Sequence, residues 1–67
     1  MKLEDEAKAY TDAKKRIFIQ ALEQDIKEAK QFIRDNLWES QEKEETLLRF
    51  TEALLWAKHA ADKHGIK

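Results

Sequence analysis

The first 64 residues of this chain contain neither of the two strongest helix breakers, Pro and Gly. There is no Pro, and the single Gly is residue 65. Ala, Leu, Glu, Lys and Gln, all strong helix formers, make up more than half of the chain. The segment richest in strand-forming residues, residues 17 to 19, has charged neighbours and no turn residues beside it. The sequence therefore predicts an all-α fold.

The first half of the chain has the spacing of an amphipathic helix. Apolar residues recur every three or four positions from Leu3 to Ile33, with Ile17, Phe18 and Phe32 widening the stripe. This spacing predicts a first helix over about residues 4–36. Thr11 and Asp12 are good N-cap residues, so a separate short helix ending near Tyr10 stays open as an alternative.

A turn is expected at residues 37–40, followed by a second helix over about residues 41–63. Asn36 tolerates a left-handed backbone, and Ser40 is a good N-cap with Glu residues in the turn after it. Gly65 is suited to ending the second helix. The whole chain, residues 1–67, is thus predicted to be a single domain, an antiparallel two-helix hairpin.

The second helix has more apolar surface than one partner helix can bury. A helical wheel places one stripe toward the first helix, namely Leu47, Phe50, Leu54, Ala57 and Ala61. Ala53, Trp56 and Ala60 lie to one side of this stripe and are left over. A core of this size supplies only about 3–5 kcal/mol. We therefore expect a homo-oligomeric helical bundle, from dimer to hexamer, with Ala53, Trp56 and Ala60 at the interface and both Trp38 and Trp56 buried in the assembly.

Several classes of function are excluded or disfavoured by composition. The absence of Cys excludes a disulfide scaffold and thiolate chemistry and makes the cytoplasm the default location. No apolar run is long enough for a membrane span, and no signal peptide is expected. His59 and His64 are five residues apart, which is wrong for binding a metal from one helix. We expect no metal, no cofactor and no enzyme, because a hairpin offers no enclosed active site.

The charge pattern leaves two interpretations open. The formal net charge of -1 gives no general attraction to nucleic acid, and duplex DNA is not an expected partner. The densest basic run, residues 14 to 16, is typical of a solvated helix face. It is also compatible with a local phosphate site, in which the aromatic ring of Tyr10 stacks on a base.

The turn and the second helix resemble a known family. Ser40-Gln41-Glu42-Lys43 is followed by Leu47, Arg49, Glu52-Ala53 and Trp56-Ala57. This run resembles the hairpin domains of the phage and prophage anti-CBASS and anti-Thoeris sponges, in which Ser-Arg-Glu-Lys precedes Leu-Glu-Glu-Ala-Val-Met-Trp-Ala-Asn. The spacing from Ser40 to Trp56 matches without a gap. The chain differs at Gln41, Glu44 and Leu48, where the family has Arg, Ser and Thr.

The resemblance implies a function as well as a fold. It implies a homo-oligomeric hairpin, in the cytoplasm of an infected or lysogenic bacterial host, that sequesters a cyclic oligonucleotide or a cyclic ADP-ribose isomer without cleaving it. Ser40, Lys43 and Arg49 are the matched polar positions, and with Tyr10 they are the expected ligand-binding residues. The alternative is a regulatory or adaptor hairpin, dimerising into a four-helix bundle, that binds a protein partner or a structured RNA.

Overall fold

The fold consists of two helices joined by a short turn. The computed structural model describes residues 2 to 67, with side chains from Tyr10 onward. Helix α1 spans Lys2–Asn36 and helix α2 spans Gln41–His64. No strand occurs in residues 2 to 67, so the predicted all-α fold is confirmed. Helix α1 continues through Thr11 and Asp12 without a break, which excludes a separate short helix before them.

The two helices run antiparallel. Three polar contacts cross between them at successive heights: Lys15 Nζ to Asp62 Oδ1 at 3.0 Å, Lys58 Nζ to Glu23 Oε1 at 2.9 Å, and Lys30 Nζ donating to Thr51 Oγ1. As the residue number rises along α1, the number of its partner in α2 falls. The chain is therefore a hairpin with its closed end at residues 37 to 40.

The hydrophobic contact between the helices uses the predicted stripes. Ala61 is buried, and the other four residues of the predicted α2 stripe are half-buried. The half-buried residues of α1 that face them include Ile19, Leu22, Ile26, Ala29 and Ile33. No large side chain of the described part of the chain is fully buried. One layer of contacts thus holds the hairpin together.

A single copy leaves an unusually large surface in water. Its accessible surface is 5915 Å², whereas a compact protein of its mass exposes about 4,450 Å². Its radius of gyration is 16.1 Å, against about 11 Å for a compact chain of this length. The molecule is a rod of 56 × 18 × 13 Å. This shape is consistent with the expected homo-oligomer, which stays a prediction. Neither described helix has a stretch that is long and apolar enough to cross a membrane.

Helix α1 extends beyond the end of α2. It has 35 residues against 24, a difference of about 16 Å at the usual rise per residue. Lys15 is level with Asp62 in the last turns of α2, so the part of α1 before residue 12 lies beyond α2. Tyr10 is 70% exposed in this extension.

Candidate functional site

The predicted ligand-binding residue Ser40 begins helix α2. Its backbone is extended, with φ -165 and ψ 164, and its Oγ accepts a hydrogen bond from the backbone N–H of Lys43 at 3.0 Å. This is the geometry of an N-cap, which satisfies one of the free N–H groups at the start of a helix. One acceptor site of the hydroxyl is therefore used by the fold itself.

Lys43 is the most buried charged residue in the described part of the chain. Only 5% of it is exposed. Its Nζ donates to the carbonyl oxygen of Arg34 at 3.1 Å and pairs with Glu39 Oε1 at 2.5 Å. The carbonyls of the last turn of a helix have no partner within that helix, and they carry a partial negative charge. Lys43 thus joins the end of α1 to the start of α2.

The burial of Lys43 was missed by sequence reasoning, which assigned this residue to ligand binding. The signal was present in the spacing. Lys43 lies four residues before Leu47, and Leu47 is followed by Phe50, Leu54 and Ala57 at intervals of three, four and three. This is the heptad spacing of the inner stripe, and it places the aliphatic part of Lys43 on the inner face of α2.

Arg49 is exposed but already paired. Its guanidinium lies 2.8 Å from Glu52 Oε2 and 3.3 Å from Glu45 Oε2. The hydrogen bond with Glu52, and then the charges of Glu52 and Glu45, raise the pKa of Arg49 above its usual value. A phosphate at this position would have to compete with two carboxylates.

The four predicted ligand-binding residues are not brought together within one copy. The contact between Lys30 and Thr51 places Arg49 level with about residue 32 of α1. Tyr10 is 22 residues earlier in the same helix, which corresponds to about 33 Å. Ser40 and Lys43 lie beyond Arg49 at the closed end of the hairpin. A site that uses Tyr10 together with Arg49 needs two copies of the chain.

The predicted interface residues are all exposed in the single copy. Ala53 and Ala60 are exposed, and Trp56 is 71% exposed, with its ring edge-on to His59 at a centroid distance of 6.3 Å. Ala60 lines an open groove of about 460 Å³ together with Phe18 of α1. Trp38, in the turn, is 93% exposed. The expectation that both tryptophans are buried therefore concerns only an assembly.

The basic run at residues 14 to 16 is partly used within the hairpin. Lys15 forms the ion pair with Asp62, and both residues line a shallow surface depression together with Arg16.

The described residues contain no group of three or more His, Asp or Glu side chains that could hold a metal ion.

Comparison with known proteins gives no relative. No protein-family model, no curated protein and no solved structure matches this chain.

Proposed function

We propose that this protein acts by capture: as an oligomeric helical hairpin it binds and sequesters a cyclic oligonucleotide or a cyclic ADP-ribose-type second messenger without cleaving it. The observation that carries the proposal is the run from Ser40 to Ala57. The residues that resemble the phage sponge hairpins form one continuous structural unit, an N-capped turn followed by α2. The ligand in such a mechanism is a small anion. The protein would act in the cytoplasm of a bacterial host.

The shape of the hairpin supports binding between copies. A single copy has no large buried side chain among its described residues and exposes about a third more surface than a compact protein of its mass. A ligand held between subunits would be enclosed by surfaces that are open in one copy. Symmetry would also gather several copies of one cation around an anion, which a chain of net charge -1 needs.

The structure suggests a division of roles among the four predicted residues. Ser40 Oγ accepts from the backbone N–H of Lys43, and Lys43 Nζ donates to the Arg34 carbonyl in the last turn of α1, so we propose that these two residues position the start of α2. Tyr10 and Arg49 are exposed, so we propose that they contact the ligand, by stacking on a base and by pairing with a phosphate. Glu44 and Gln41, which replace a Ser and an Arg of the family, would reduce the affinity for an anion.

The decisive experiment is calorimetric titration with a panel of cyclic dinucleotides, cyclic trinucleotides and cyclic ADP-ribose isomers. We expect saturable binding of one ligand class, at fewer than one ligand per chain, and recovery of the intact ligand after the protein is denatured. Arg49→Ala should weaken binding at least tenfold, because it removes a charged contact to phosphate. Lys27→Ala, which removes another exposed cation, is the matched control. No binding across the panel, or recovery of a linear product, would overturn the proposal.

A second candidate is a hairpin adaptor that binds a protein partner, and the turn favours it. Trp38 and Leu37 are exposed side by side, at 93% and 47%, and an exposed Trp is a frequent anchor of protein interfaces. A structured RNA is less favoured, because Lys15, Lys58 and Arg49 are paired with carboxylates. If a partner is found, the salt dependence of binding separates an RNA from a protein partner. Binding that falls steeply with added salt indicates phosphate contacts, and weak dependence indicates an apolar protein surface.

A further inference from the structure

Helix α1 carries a second stripe that is mostly uncovered: three of its four residues are exposed and Lys14 is half-buried. Tyr10, Lys14, Ile17 and Ala21 follow one another at intervals of four, three and four residues, the spacing of a heptad seam. On a helical wheel this stripe is rotated by about 120° from the inner stripe that packs against α2. Tyr10 and Ile17 are 70% and 67% exposed. We call these four residues the outer seam.

The outer seam continues toward the closed end of the hairpin, where its charge changes sign. Asp25 and Glu28 follow it on the same side of α1, and Phe32, which is 66% exposed, comes next. The start of this surface therefore carries an aromatic ring and a cation, Tyr10 and Lys14. Its far end carries an aromatic ring and two acids.

This asymmetry determines how a second α1 can lie against the first. In a parallel pair, Lys14 would face Lys14 of the second copy and Glu28 would face Glu28, and like charges repel. In an antiparallel pair centred on Ala21, Lys14 faces Glu28 of the second copy. The spacing also fits a two-fold axis, because Lys14 and Glu28 are each seven residues from Ala21, and Tyr10 and Phe32 are each eleven residues from it.

The residue at the centre favours close approach. Ala21 has a small side chain, which lets two helices cross with little separation. Phe18 is only 37% exposed and lines the groove that also contains Ala60, so the predicted interface residue Ala60 borders the same side of the hairpin. One whole copy exposes roughly 1,450 Å² more surface than a compact protein of this mass. A partner contributes about 800 Å² to a standard interface, so one copy has enough extra surface to form one.

We propose that the outer seam of α1 binds the outer seam of a second copy in antiparallel orientation, around a two-fold axis near Ala21. Lys14 then pairs with Glu28 of the second copy, twice per dimer, and the edge of the Tyr10 ring lies beside Phe32 of the second copy, which leaves a face of that ring for the proposed ligand. The inference rests only on the oligomeric part of the proposed function. It does not depend on which ligand is bound.

Charge reversal tests the orientation. Lys14→Glu and Glu28→Lys should each weaken self-association about tenfold, because each replaces two attractive pairs per dimer by two repulsive ones. The double variant restores opposite charges and should return to within about threefold of the original protein. Lys27→Glu makes the same change of charge on another side of α1 and should have less than a threefold effect. The dissociation constants are measured by sedimentation equilibrium, with helix content checked by circular dichroism.

Two results of this experiment would overturn the proposal: single variants that associate as well as the original protein, or a double variant that associates no better than the single ones. Both readouts are made without a nucleotide. Failure of the seam is therefore distinguishable from failure of ligand capture, which is measured by titration alone.

Disulfide formation tests the register, since the chain has no Cys of its own. Two cysteines can bridge only when their Cα atoms are within about 7 Å. In an oxidised mixture of Lys14→Cys and Glu28→Cys chains, we expect mainly the mixed disulfide. Disulfides formed mainly between two Lys14→Cys chains would indicate a parallel pair and overturn the proposal.

Discussion

Replacement of Lys43 tests whether a buried charge at the turn stabilises the hairpin. Lys43→Ala removes three methylene groups from a position that is 5% exposed, at about 0.8 kcal/mol each. It also removes the hydrogen bond to the Arg34 carbonyl, worth about 1–2 kcal/mol after the cost of burying the charge. The pair with Glu39 adds little, because the Glu39 side chain is 85% exposed.

The two losses together predict that Lys43→Ala lowers the free energy of unfolding by about 3–4 kcal/mol. Lys43→Met keeps an unbranched aliphatic side chain of similar length and loses only the ammonium, so we expect it to cost about 1–2 kcal/mol. For a chain of this size each kcal/mol corresponds to about 4–8 °C in Tm. Lys27→Ala, on an exposed part of α1, is the control and should change stability by less than about 0.5 kcal/mol.

The measurement is urea denaturation followed by circular dichroism, with all variants at one protein concentration because the stability of an oligomer depends on it. If Lys43→Met is as stable as the original protein, the hydrogen bond to the Arg34 carbonyl does not stabilise the fold. If Lys43→Ala is no less stable than Lys43→Met, the aliphatic part of Lys43 is not buried in solution. Either result would refute the role assigned to this residue.

Substitutions at three further positions test other local features of the hairpin by the same denaturation assay. Ser40→Ala should cost about 1 kcal/mol, because it removes the acceptor for the Lys43 N–H, whereas Ser40→Asp should retain most of the stability; equal losses in both would contradict the cap. Gly65→Ala should cost about 1 kcal/mol, because φ at this residue is +79, although an added methyl would meet no atom within 4 Å; no loss would mean that α2 does not end there in solution. Lys58→Gln removes the pair with Glu23 and should cost less than about 1 kcal/mol, an effect that disappears in 1 M salt; a large cost that persists in salt would indicate a buried contact.

The local features of the fold could be predicted because their causes lie within a few residues of each other. Ser40 caps α2 through an N–H three residues away, and Gly65 ends α2 through a hydrogen bond to Ala61. The inner stripe of α2 follows from helical spacing alone, and its residues are half-buried or, for Ala61, buried. Such features depend on helix propensity and on hydrogen bonds between near neighbours, which the sequence displays directly.

The candidate site could be predicted only in part. Sequence reasoning selected Lys43 and Arg49 as cations that a phosphate could use. The structure shows Lys43 buried against a carbonyl and Arg49 between two carboxylates. A helical wheel shows on which side of a helix a residue lies, but not which atoms of the other helix are opposite. The distance from Tyr10 to Arg49 was also not fixed by the sequence, because it depends on which residues of α1 and α2 lie opposite each other.

The sequence by itself determined that this protein is a pair of amphipathic helices with a cap at Ser40 and a stop at Gly65, since these follow from periodicity and from contacts within one turn of a helix. Only the tertiary structure decided which heights of the two helices meet, and therefore that Lys43 reaches the carbonyl of Arg34 while Lys15 reaches Asp62. The physical reason is that burial and ion pairing depend on atoms that are distant in the chain. Their positions are set when the two stripes pack together.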